Sequence, residues 1–225
     1  MRLAEREIGL DIPLTENQIP VIVIEEPTLR MGLLQELYAQ IQGQEGNWLL
    51  VENERSYELH KVAEIILEPF SLQLNNKKTK TRLYQDMKEV AQEEFFSESL
   101  EVHAHICNLL ELLAEKLPYP IRYQDEWSIS EVLKSYGIEL VEEYEEPCEK
   151  LLNYINLVNA VCGTEVFILV NIKQYLNAYQ VDELYKLCIY KKIRLILVEF
   201  SMEDEKKELE DIYIYDKDRC LIHIE

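Results

Sequence analysis

Four cations, Lys77, Lys78, Lys80 and Arg82, crowd into the stretch LQLNNKKTKTRL (72–83), and no acid stands between Glu68 and Asp86. Ammonium and guanidinium groups in such a run can neutralise phosphates or the carboxylates of a partner. The formal charge of the whole chain is −20, so this local reversal of sign asks for an anionic partner. The plainer alternative is a solvated helix start. Asn75-Asn76 reads as a turn. Thr79 reads as an N-cap, because Leu83, Met87, Val90 and Ala91 follow at helical spacing. Lys191, Lys192 and Arg194 make a second basic group.

A second chemistry is suggested by acids. Glu115, Asp125, Glu126 and Glu131 surround the point where an apolar helical pattern stops, after Leu117. Calcium takes about six to eight oxygen ligands, and an acid-rich loop can supply them. With 43 acids in the chain, a solvated acidic surface is the competing reading. Other chemistries find less. His103 and His105 stand two apart on a helix, so they point away from each other and cannot share a metal. Neither a G-x-S-x-G elbow nor an H-E-x-x-H pair occurs. Where a phosphate cradle would follow the first apolar strand, the sequence is EEPTLRMG (25–32): two acids, a proline and no lysine placed to reach a phosphate. Asn171 ends a later strand where many P-loop ATPases carry a magnesium-binding acid. The sequence therefore predicts a protein that is not an enzyme. The rival readings are a metal-dependent nuclease or degenerate ATPase using Asp125, Glu126 and Glu131, and an adaptor that binds only proteins.

The elements that must position these residues follow from periodicity. At 225 residues the chain fits one domain with an insertion, or two, at roughly 150 residues each. Ile19 to Ile24 (IPVIVI), Val166 to Val170 and Ile193 to Phe200 are apolar runs of the kind that form strands covered on both faces. A helix through Leu29, Leu33, Leu37 and Ile41 ends at Gly43, and a strand at Trp48 to Val51 follows. That order predicts a parallel neighbour for IPVIVI. Residues 57–74 read as mixed. Residues 79–117 read as a long helical region broken near Phe95-Phe96 or Ser97. In its second half Phe96, Leu100, His103, Cys107, Leu110, Ala114 and Leu117 form a seam that wants a partner helix. That partner is either the preceding helix or another subunit. A short helix from Ser128 or Ser130 closes at Gly137, a brief strand is expected at 138–141, and strands at 212–214 and 221–224 finish the sheet. The expected fold is α/β with a mostly parallel sheet, in parts 1–75 and 128–225 flanking a helical insertion at 76–127. Five cysteines without a C-x-x-C pair suit reduced thiols in cytoplasm. No run approaches the length of a membrane span, so no membrane partner is expected.

The block KVAEIILEPFSLQLNNKKTKTRLYQDM (61–87), followed in order by ISEVLKSYGIEL (129–140), VFILVN (166–171) and ILVE (196–199), resembles the ring-forming CRISPR adaptation proteins of type II-A systems. The resemblance implies an α/β head resembling a P-loop ATPase without a functional phosphate loop, plus an α-helical leg. It implies a homotetrameric ring, stabilised by calcium, that threads the linear ends of double-stranded DNA. It also implies work in spacer acquisition alongside the CRISPR integrase proteins and the RNA-guided nuclease. Carried over by position, Asp125 and Glu131 match acids of related chains, Glu115 matches an acid near the end of the long helix, and Glu126 matches some relatives. Lys77, Lys78, Lys80, Arg82, Lys191 and Lys192 are the DNA-contact candidates.

Overall fold

The computed structural model describes residues 1–124, 127–202, 206–218 and 220–224. They divide into two compact units, one made of Met1–Gln73 with Glu142–Glu225, the other of Leu74–Val141.

The first unit opens with β1 (Arg2–Glu5) and β2 (Leu10–Pro13), an antiparallel pair turned at Gly9, whose φ of +65° suits glycine. β3 (Ile19–Ile24) is the IPVIVI run, buried at every residue. α1 (Pro27–Ile41) follows, with Leu33, Leu37 and Ile41 turned inward. The next strand, β4 (Trp48–Glu52), is not the parallel neighbour of β3 that the strand, helix, strand order predicts. It pairs antiparallel with β1, and β5 (Arg55–Tyr57) pairs with it, giving a separate sheet of order β2-β1-β4-β5. The register explains the preference. Leu3 faces Ile12 on one side and Leu50 on the other, and all three are fully buried, so β4 completes an apolar face that β1 and β2 would otherwise expose. After a single turn, α2 (Leu59–Val62), the segment read as mixed contributes β6 (Ala63–Ile66), a strand at one edge of the larger sheet.

The second unit is helical: α3 (Lys77–Glu93), α4 (Phe96–Lys116) and α5 (Ile129–Ser135). The break between the first two falls at Glu94 and Phe95, where the long pattern was expected to divide. The unit runs on to Val141, so α5 packs with α3 and belongs to the helical part rather than to the α/β part that follows. Residues 138–141 form no strand; Asn75 holds them instead, donating from Nδ2 to the Leu140 carbonyl at 2.9 Å and accepting the Leu140 N–H at 2.8 Å.

Back in the first unit come α6 (Pro147–Cys162), β7 (Val166–Val170), α7 (Ala178–Lys191), β8 (Arg194–Glu199), β9 (Glu210–Tyr215) and β10 (Leu221–Ile224). The larger sheet has the order β10-β9-β3-β8-β7-β6, parallel throughout except for the antiparallel β10. The fold is therefore α/β with a mostly parallel sheet, as the apolar runs predict. Period-two alternation divides each strand between two layers. Ile22, Ile168 and Ile196 join α1 and the small sheet in one core. Phe167, Leu169, Leu195 and Leu197, all buried, are left for the opposite face, with the buried Leu151 and Ile155 of α6 and Leu184 of α7.

Candidate nucleic-acid interface

The cation run forms the first turn and a half of α3. Asn76, not Thr79, is its N-cap: the Asn76 side-chain oxygen accepts the N–H groups of Lys78 at 2.9 Å and Thr79 at 3.1 Å. Thr79 sits inside the helix, fully buried, and donates its hydroxyl to the Leu74 carbonyl. The helix consequently starts two residues before the predicted cap, and Lys77 and Lys78 fall in its first turn, both exposed. Because the Asn76 carboxamide already occupies N–H donors at this terminus, an arriving phosphate would be held by side-chain cations and the helix dipole rather than by the backbone.

Lys80 and Arg82 are engaged within the unit. Lys80 Nζ meets Glu139 at 2.5 Å, and that hydrogen bond holds the ammonium above its ordinary range. Arg82 Nε meets Asp86 at 2.8 Å, one helical turn on. Tyr84 donates to the Ile138 carbonyl at 3.1 Å. One edge of α3 is thus tied to 138–140 by Asn75, Lys80 and Tyr84.

The second basic group lies in the other compact unit. Lys191 ends α7 with its ammonium 5.9 Å from the exposed Tyr190 ring. Lys192 caps α7 in the left-handed region, φ +57°, and lies 3.6 Å from Glu16. Arg194 points elsewhere: half-buried, it bridges Glu52 at 3.0 Å and Glu165 at 2.9 Å, tying β8 to the small sheet.

Of the acids, Glu115 is exposed in the last turn of α4 and Glu131 is exposed in the first turn of α5. Asp125 and Glu126 lie outside the described residues. Among the described residues no three His, Cys, Asp or Glu side chains gather closely enough to hold a metal ion. His103 stacks on Trp127 at 4.9 Å, while His105 is exposed and meets the Glu101 carbonyl, so the two histidines do diverge.

At the end of β3, Glu26 caps α1 by accepting the N–H groups of Thr28 at 2.9 Å and Leu29 at 2.6 Å. The donors that a phosphate cradle would offer are filled by a carboxylate. Arg30 folds back to the Ile24 carbonyl at 2.9 Å and lies 4.2 Å over the Phe200 ring.

Sequence reading missed a polar network on the other side of the same sheet. A cavity of 460 Å³ is bounded by Val21, Val23, Asn171, Lys173, Glu199 and Ile212 among others. Glu199, only 4 % exposed, is pushed up to about 7 by burial, against the opposing effect of Lys173. Lys173 Nζ pairs with the buried Glu210 at 2.7 Å, and Tyr185 donates to the same carboxylate oxygen at 2.6 Å. The one signal available beforehand was an acid closing an otherwise apolar strand, ILVE.

The family model of the CRISPR-associated protein (Cas_Csn2) matches residues 40–219. No protein of curated function matches the sequence. Among solved structures, one similar to this chain is the ATP-binding cassette MJ0796 in a dimeric post-hydrolysis state bound to ADP and Pi. It is 10 % identical, with 92 % of this chain and 84 % of that one covered and a TM-score of 0.42, a likeness too distant to bear on function.

Proposed function

The chain belongs to the CRISPR-associated Cas_Csn2 family, and from that premise we propose that it is a non-catalytic, sequence-independent binder of double-stranded DNA. It works in spacer acquisition, threading linear DNA ends through a ring of four copies. The observation that carries the reading is the acid-free basic turn of α3, with Lys77 and Lys78 exposed on a chain of net charge −20. Contacts of this kind neutralise phosphates and read no bases.

Oligomerisation is supported by α4. No residue of it is fully buried, and beside the seam predicted from sequence it exposes a second stripe, Val102, Ile106, Leu109 and Leu113, with Leu109 at 56 % and Leu113 at 51 %. A stripe recurring at alternating four and three spacing is what a helix from a second copy would cover. Calcium is the proposed ligand of the acids at the α4 and α5 ends, Glu115 and Glu131, with Asp125 and Glu126. Its charge would damp repulsion between acidic copies. The CRISPR integrase proteins and the RNA-guided nuclease are the proposed partners, in the cytoplasm. Among the described residues no helix is long and apolar enough to cross a membrane.

The test is a gel shift of linear against covalently closed duplex, in calcium and then in chelator, with molar mass measured in both. The expected result is a four-copy species in calcium that shifts linear DNA, leaves closed DNA unshifted and loses both properties in chelator. A single copy that ignores linear duplex at low salt overturns the reading. Cleavage of the duplex in magnesium or manganese overturns its non-catalytic part.

A further inference from the structure

The cavity beside Glu199 occupies a particular place in the topology. The chain lays down β6, β7 and β8 in adjacent positions approaching β3, then steps across β3 to place β9 on its far side. In open parallel sheets the crevice at the carboxyl ends of the strands, where the order reverses, is where ligands bind. Asn171 follows the last residue of β7 and Glu199 is the last residue of β8; Val21 and Val23 of β3 with Ile212 of β9 supply an apolar wall. At 460 Å³ the space holds a small molecule.

Charge decides the kind of molecule. Among the described residues, Glu199 from β8 and Lys173 from the turn after β7 line the cavity, and Glu210 from β9 stands behind Lys173 as its partner. Lys173 spends its shortest contact on Glu210, which also receives the Tyr185 hydroxyl and, at 3.2 Å on its other oxygen, the Lys207 N–H. Lys207 in turn pairs its ammonium with Asp182 of α7 at 2.7 Å. Glu199 accepts backbone N–H groups of Lys173, at 3.3 Å, and of Ile172, and has no side-chain cation as close to it as Lys173 is to Glu210 among the described residues. Burial outweighs those contacts, so the carboxyl lining the cavity, 4 % exposed, is the group whose charge is least compensated there. An anionic ligand would meet it at close range. A metal would lack ligands, since no three such groups gather among the described residues.

We propose that this cavity binds a small organic cation, a guanidinium or primary ammonium, with the Glu199 carboxylate as its counter-ion and Val21, Val23 and Ile212 covering its aliphatic part. A guanidinium fits best, because it can donate to both carboxylate oxygens at once. Binding draws Glu199 into its ionised form and releases a proton. With the free carboxyl titrating at about 7, the ionised fraction rises about tenfold between pH 6 and pH 8, and affinity rises with it. The site is independent of the DNA reading.

Titration calorimetry with agmatine, which carries both cationic groups, tests this on the full chain at pH 6, 7 and 8 in buffers of different ionisation heat. The expected result is binding that strengthens about tenfold from pH 6 to pH 8, with proton release at pH 7. Glu199→Gln is expected to weaken it at least tenfold at pH 8, and inorganic phosphate is expected not to bind. Absence of agmatine binding at pH 8, unaltered binding by Glu199→Gln, or displacement of agmatine by phosphate overturns the proposal. Should the variant fail to fold, wild-type binding without proton release overturns it equally.

Discussion

Glu199→Gln also tests the electrostatics of the head without any ligand. Burial raises the Glu199 carboxyl from 4.5 to about 7. A raised carboxyl binds a proton more tightly folded than unfolded, so between pH 4.5 and 7 the folded state holds more protons and its stability falls as pH rises. Below pH 4.5 both states are protonated and the penalty is absent; above about pH 7 it is complete. A shift of about two and a half units, at 1.36 kcal/mol each, corresponds to about 3 kcal/mol. Glutamine keeps the shape and a carbonyl to accept the Lys173 N–H, and it does not ionise. The variant and the wild type are therefore expected to be nearly equal at pH 4.5, with the variant more stable by about 3 kcal/mol at pH 8. Urea unfolding followed by circular dichroism at pH 4.5, 6, 7 and 8 measures the gap, and subtracting the two proteins cancels the many other carboxylates. A gap that stays constant with pH, or that favours the wild type at pH 8, refutes the reasoning.

Four further outcomes follow from particular contacts. Asn75→Ala removes both hydrogen bonds to Leu140 and is expected to cost about 2 kcal/mol, read as loss of amide-exchange protection in 74–84 and 138–141. Glu26→Ala removes the α1 cap and is expected to cost about 1 kcal/mol in urea unfolding. Lys77→Ala with Lys78→Ala is expected to flatten the slope of log affinity against log salt for linear duplex by about 1.8, two phosphates at roughly 0.9 each; an unchanged slope removes both lysines from the interface. Leu109→Asp with Leu113→Asp is expected to leave the helical content intact while abolishing the four-copy species in light scattering, since two charges would enter the proposed contact.

The strands that carry the larger sheet were legible because burial on both faces leaves an unmistakable apolar run, as in IPVIVI and VFILV. What periodicity cannot supply is partnership. Trp48 to Glu52 looks the same whether it joins β3 or β1, and only the need of Leu3 and Ile12 for cover selects β1. Four-residue β6, with its AEII pattern, is too short to declare itself. The Thr79 reading failed because Asn76 competes for the same donors, and a hydroxyl three residues inside can turn back to the Leu74 carbonyl instead. The basic run itself was plain in the sequence. That Lys80 meets a carboxylate was not, since Glu139 lies 59 residues away along the chain.

Those pairings bear on how an acidic chain could hold DNA at all. Exposed ion pairs such as Lys80 with Glu139 and Arg82 with Asp86 contribute little, being screened by solvent, so a phosphate can take the cation from its partner at small cost. The carboxylate left behind remains within a few ångströms of the phosphate and repels it, well inside the ~8 Å over which salt at physiological strength screens charge. Lys80 and Arg82 therefore gain from anything that neutralises Glu139 and Asp86. A divalent ion at the carboxylates of the helical unit would act in that sense. In the proposed ring, calcium would then strengthen DNA binding through the charge balance of α3 as well as through assembly. The two routes separate in a variant carrying Glu139→Gln and Asp86→Asn, whose DNA affinity should depend less on calcium at equal ring content.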